Sequence, residues 1–216
     1  AARRSLQSAF AHSGGLRREA VEEFLRGFRE WMEPTGDSDP LPGASGRRLD
    51  VLTAALPAGG DVARATSSHG ESLLRLLLSC DALQEGVSET VLELLPQLAT
   101  QEEVEPEDSM GNRSSGVLET CTTTLSAFRW LDSMRADTGH KVAQQLLQLL
   151  ECLPPALQRH LIACLPEIVH DGDHLLVVES LLNLMESDPS VMLPVLDALT
   201  NLHAHGCQND IHHKVL

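Results

Sequence analysis

The residues of this chain that most readily suggest chemistry are its ten histidines, several of them crowded near residue 205. His203, His205 and Cys207 stand at alternate positions, and His212 and His213 follow shortly after. A zinc ion needs three or four such ligands converging at about 2.0–2.3 Å. This run matches no standard zinc module, so its side chains read as surface histidines, with metal binding as the sharper alternative. His160 and Cys164 are spaced i, i+4. One helix face would carry both, which is the pairing that can activate a thiol. No third group or oxyanion hole accompanies them. His170 and His174 flank an Asp171-Gly172-Asp173 turn, where helix capping and solvation account for them.

Other chemistry finds less support. The acidic run Glu102, Glu103, Glu105, Glu107 and Asp108 lacks the glycine and the alternating carboxylates of a calcium loop. There is no Gly-x-x-x-x-Gly-Lys phosphate loop and no Gly-x-Ser-x-Gly elbow. Gly14-Gly15 precedes a helical pattern and reads as a turn rather than an anion site. The sequence therefore assigns no catalytic, cofactor-binding or metal-ligating residue, implies no cofactor, and reads as a protein that is not an enzyme.

The elements around these residues are helical. Leu16, Ala20, Val21, Phe24, Leu25, Phe28 and Met32 form an i, i+3, i+4, i+7 stripe over 16–33, stopped by Pro34 and Gly36. A Pro, Gly, Asp and Ser rich stretch at about 34–46 reads as a disordered loop. A short helix follows through Leu49, Leu52 and Leu56. Leu-rich helices are predicted at 69–79 and 87–99, with Gly86 as the break between them. The polar stretch 100–116 reads as an acidic exposed linker. Beyond it, helices are predicted at 117–134, 139–152, 155–169, 174–186 and 190–203. The breaks are Asp137-Thr138-Gly139, Pro154-Pro155, Asp171-Gly172-Asp173 and Asp188-Pro189. Such short connections favour antiparallel neighbours.

The expected organisation is a helical segment at 1–99, the linker at 100–116 and a helical-repeat segment at 117–216. Val91-Leu92-Glu93-Leu94-Leu95-Pro96 is echoed by Leu161-Ile162-Ala163-Cys164-Leu165-Pro166, each helix carrying a late proline. The fold class is all-α, and the echo suggests an α-solenoid of antiparallel hairpins, HEAT- or armadillo-like. No stretch alternates as a strand would.

Composition agrees. Aromatic residues are only 3% of the chain and Tyr is absent, so Leu, Val and Ala must build the core. The net charge of −15 is unlike that of a stand-alone nucleic-acid binder. Arg3-Arg4, Arg17-Arg18 and Arg47-Arg48 are the basic pairs, and they read as solvated helix ends. Five widely spaced cysteines with no CxxC read as reduced thiols of an intracellular protein. Cys152, Cys164, Trp31 and Trp130 all lie on apolar stretches and are expected to pack inside. No run reaches the roughly 18 apolar residues of a membrane span. The chain opens on Ala1 and closes inside an apolar-periodic stretch, which reads as a fragment open at both ends. Ser and Thr in 34–46 and 101–116 are positions suited to phosphorylation.

Several motifs in sequence order carry a resemblance. Leu125-Ser126-Ala127-Phe128-Arg129-Trp130-Leu131-Asp132 is followed by Lys141-Val142 and a Leu-rich helix. Then come Leu157-Gln158-Arg159-His160-Leu161-Ile162-Ala163-Cys164-Leu165-Pro166-Glu167-Ile168 and Pro194-Val195-Leu196-Asp197-Ala198-Leu199. With Glu22-Glu23-Phe24-Leu25 and Ser72-Leu73-Leu74-Arg75-Leu76-Leu77-Leu78, this order resembles the amino-terminal region of the Fanconi anaemia group D2 family. The likeness spans most of the chain apart from about 34–66 and 100–116. It implies a nuclear α-solenoid that pairs with the Fanconi anaemia group I protein and closes on DNA as a clamp. It also implies locking by the ubiquitin-conjugation machinery, and a role in interstrand crosslink repair and replication-fork protection. Neither Lys141 nor Lys214 sits in the family's ubiquitin-acceptor motif, so neither takes that role. Without the resemblance, periodicity alone supports a generic helical-repeat adaptor.

Overall fold

A computed structural model of the chain describes residues 14–33, 44–55, 72–101, 114–129, 131 and 134–202. Among the described residues there are nine α-helices and two 3₁₀ turns, and no strand beyond one isolated bridge between Ala55 and Ser72. The all-α expectation holds. The chain divides into two compact units, Ala1–Met134 and Arg135–Leu216.

The first unit contains α1 (Gly14–Met32), α2 (Ala44–Thr53), α3 (Leu73–Leu78), α4 (Gln84–Gln101) and α5 (Ser114–Ala127). Helix α4 is its hub, packing against each of the other four. Val87, Val91, Leu92, Leu94, Leu95 and Leu98 are all buried on one broad face of it. Each such side chain contributes about 1.5–3 kcal/mol by leaving water. Small polar residues on the buried faces satisfy themselves locally. Ser88 Oγ donates to Glu85 O, Thr90 Oγ1 to Gly86 O, and Thr124 Oγ1 to Thr120 O. Thr120 also bonds the Asp50 carboxylate, joining α5 to α2.

Helix limits differ from the sequence expectation where a side chain sets them. α2 begins at Ala44, inside the stretch read as loop, with Ser45 Oγ donating to Met32 O at the end of α1. α3 has only six residues, because Ser72 caps it by accepting the Arg75 backbone N–H. The break before α4 falls at Ser79–Leu83, and Gly86 lies inside α4 rather than between helices. A Cβ at Gly86 would stand 2.7 Å from Leu25 Cδ1, so this glycine serves the close approach of α1. Pro96 does not end α4, which runs on to Gln101. α5 starts at Ser114 and stops at Ala127, not 134. The Arg75 guanidinium donates to Ala127 O at 3.3 Å and Arg129 O at 2.7 Å, taking up carbonyls that a continued helix would use.

The second unit contains α6 (Ala136–Leu150), α7 (Pro155–Ile168), α8 (His174–Ser187) and α9 (Met192–Asn201), with 3₁₀ turns at Asp171–Asp173 and Pro189–Val191. Helix α9 lies mainly against α7 and also touches α8, while α6 meets both α7 and α8. Leu146, Leu161, Ile162, Leu165, Val177, Leu181 and Val195 are fully buried between them. Pro155 opens α7, where its missing N–H costs no helix bond, and Gln158 Nε2 donates to Leu150 O at the end of α6. Asp188 caps the turn before α9, accepting from Ser190 N at 2.9 Å and Ser190 Oγ at 3.0 Å. The bond from the Ser190 backbone, then that from its hydroxyl, holds the Asp188 carboxyl below its ordinary value.

One expected break is absent here. Asp137, Thr138 and Gly139 form the first turn of α6 rather than preceding it. A Cβ at Gly139 would meet His170 Cδ2 at 2.4 Å, so again a glycine that reads as punctuation permits contact.

Candidate functional site

Three of the described histidines, His140, His170 and His174, stand where the 3₁₀ turn Asp171–Asp173 meets the start of α6. His140 Nδ1 stands 2.5 Å from Asp173 Oδ1, and its Nε2 stands 3.0 Å from Gln144 Nε2. An amide nitrogen only donates, so His140 Nε2 accepts and Nδ1–H donates to the carboxylate. Both ring nitrogens are thereby engaged, and the His–Asp pair acts as a clasp between α6 and the turn. His174 is 3% exposed and its Nε2 donates to Val169 O at 3.3 Å. Solvation was the expectation for His174; instead it is buried, because α8 begins beneath the turn it follows.

His160 and Cys164 do come together, with Nε2 and Sγ 3.5 Å apart on α7. Cys164 is only 3% exposed, which shuts the thiol away from any substrate. Cys80 and Cys121 are buried, whereas Cys152 is exposed, contrary to the packed position expected of it. It lies in the turn after α6, beyond the reach of that helix's apolar stripe. His203, His205, Cys207, His212, His213, Lys214, Trp130 and the acidic run 102–108 lie outside the described residues. Among the described residues, no three or more His, Cys, Asp or Glu are grouped to hold a metal ion. No described helix is long and apolar enough to cross a membrane.

Exposed apolar side chains are the more distinctive surface feature. On α9, Leu193 is 80% exposed, with Met192 and Leu196 beside it, and Leu175 is exposed on α8. On α1, Trp31 is 41% exposed, not core as its apolar neighbours suggested, and Phe24 is exposed too. Trp31 sits on the edge of the stripe whose centre, Phe28 and Met32, faces inward. Sequence periodicity finds the stripe but not which of its members the neighbouring helices reach.

These features define an all-helical protein built on leucine-rich cores, offering apolar surface and buried thiols rather than a convergent reactive centre among the described residues. A family model described as "Fanconi anaemia protein FancD2 nuclease" matches residues 18–212, and the chain belongs to that family. Proteins of Mus musculus and Rattus norvegicus named "Fanconi anemia group D2 protein homolog" are each 27% identical to it over 184 residues. Those matches cover 85% of this chain and 11% of each relative. The "Fanconi anemia group D2 protein" of Gallus gallus is 29% identical over 135 residues, covering 62% of this chain and 8% of its own length. The chain thus spans about a tenth of the length of the curated relatives it matches. Membership agrees with the motif order read from the sequence and implies a role in the Fanconi anaemia pathway.

Proposed function

We propose that the chain is a non-catalytic stretch of scaffold in the subunit of a DNA clamp that serves interstrand crosslink repair and replication-fork protection. Family membership is the observation that carries this reading. The complete protein would pair with the Fanconi anaemia group I protein in the nucleus, on chromosomes, and be regulated in the cell cycle by monoubiquitination outside this stretch. The second unit supports a solenoid: α6 meets α7 and α8, and α9 meets α7 and α8. Contacts to the next helix and the next but one are what stacked hairpins make. The net charge of −15 is in keeping with a clamp whose phosphate contacts are made mainly by other parts of the assembly. The word nuclease in the family description calls for carboxylates or histidines converging on metal. Here His140 and His174 instead tie neighbouring elements together, and His160 pairs with Cys164 on its own helix.

The test is light scattering on the complete protein mixed with purified Fanconi anaemia group I protein, with and without duplex DNA. A one-to-one complex tightened by DNA is the expected result. Separate peaks at low salt would leave a helical adaptor of another partner. Release of nucleotides from DNA with Mg²⁺ or Mn²⁺, lost on substituting residues of this stretch, would overturn the non-catalytic reading.

A further inference from the structure

Helix α1 carries an exposed line of residues at 20, 24, 27 and 31, spaced four, three and four apart. Ala20, Phe24, Gly27 and Trp31 are all exposed. This is the spacing with which one helix presents a seam to another. Four Phe and two Trp are all the large aromatics the chain has, and three of the six lie here. Core building does not explain that concentration, since only Phe28 of the three is buried, at 7% exposure. Phe28 instead fixes the other two: its ring stacks on Phe24 at 6.2 Å and meets Trp31 at 6.3 Å. Arg48 of α2 lies 5.9 Å from the Trp31 ring centre and holds its far side. Between the aromatics Gly27 opens a gap, for a Cβ there would meet nothing within 4 Å. Two ordered aromatic ridges flanking a hole make a surface ready for an incoming side chain.

The charge beside the line selects the occupant. Glu19, Glu23 and Glu30 are exposed along its outer border with one cation among them, Arg26, which stands 3.9 Å from Glu23, while the other border turns into the core. We propose that this seam is the seat of an amphipathic helix of a partner protein, with apolar residues at matching four-three spacing and Lys or Arg along one flank. A helix axis 8–10 Å away, the usual packing distance, brings such cations within reach of the three glutamates. The same glutamates disfavour a second copy of the chain, because a two-fold pairing of α1 on α1 sets Glu against Glu. They disfavour nucleic acid for the same reason. The inference stands on the geometry of α1 and does not depend on the clamp reading.

The experiment titrates the complete chain with two synthetic amphipathic peptides of identical leucine stripe, one flanked by Lys and one by Glu. Calorimetry is expected to show one-to-one binding of the Lys peptide, with the Glu peptide at least about tenfold weaker. Gly27→Leu fills the gap, and Trp31→Ala removes a ridge; each is expected to weaken the Lys peptide about tenfold or more. The triple variant E19K/E23K/E30K is expected to reverse the preference. Gly27→Leu lies on an exposed helix face, so circular dichroism should show it folded. Unchanged affinity in Gly27→Leu would reduce the effect to diffuse charge attraction and overturn the proposal. Absence of binding, or dimerisation of the chain that shields Trp31, would overturn it equally.

Discussion

The two units solve the same problem differently. In the first, one helix, α4, buries a broad face and the other described helices gather on it. In the second, contact passes along the chain from α6 to α9 in steps of one and two helices. A hub concentrates stability in a few side chains, whereas a ladder spreads it. The same contrast governs where substitutions should hurt.

Leu95 on α4 has no exposed surface and Leu193 on α9 is 80% exposed. Leu95→Ala is expected to cost about 2–5 kcal/mol in urea unfolding, while Leu193→Ala should stay within about 0.5 kcal/mol. Equal losses would mean that the hub is not where the first unit's stability resides. Next in size comes Gly139→Ala. The added methyl meets the rigid His170 ring at 2.4 Å, and a cost of about 1–3 kcal/mol should appear as a lower thermal midpoint. Its counterpart Gly86→Ala meets only the branched end of the half-buried Leu25 side chain, which can turn aside, so it should cost less than Gly139→Ala. Gly27→Ala meets nothing and should stabilise by about 0.5–1 kcal/mol through helix propensity alone. A loss of stability there would contradict the open seam on α1.

The smallest effect concerns Asp188. Its carboxyl is held below the ordinary value by the Ser190 backbone and hydroxyl. A depressed native pKa adds stability above the unfolded value of about 3.9, and this is lost as pH falls through the native pKa. A carbon-detected titration should place the Asp188 midpoint below the ordinary value. Ser190→Ala should raise it only part of the way, since the backbone N–H remains. A midpoint unmoved by Ser190→Ala would remove the hydroxyl from the account.

What could be read from the sequence follows from how firmly each residue type binds the backbone. Pro155 opens its helix as expected, and Pro189 falls at the expected break between helices, because a proline dictates its own geometry wherever it stands. Glycine only permits, and Gly86 and Gly139 are used inside helices for close approach, which depends on Leu25 and His170 far away in sequence. The end of α5 was hidden for the same reason: Arg75, on another helix, takes its last carbonyls. At the surface, the i, i+4 spacing of His160 and Cys164 correctly brought them together, yet could not tell that the thiol would be shut in. The pairing of His140 with Asp173 joins residues 33 apart, and no local pattern announces it. The Trp31 and Cys152 expectations failed because an apolar neighbourhood in sequence is not one in space.

The self-bonded hydroxyls of α4 and α5 have a mechanical consequence. Ser88, Thr90 and Thr124 each find an acceptor one turn back on their own helix. At these positions the hydroxyl asks nothing of a neighbouring helix. What packs over it is held by van der Waals contacts that are individually worth about 0.1–0.2 kcal/mol, and a small shift of such a neighbour leaves the hydroxyl's own bond intact. Polar atoms can thus sit in these cores without fixing which residue lies opposite them.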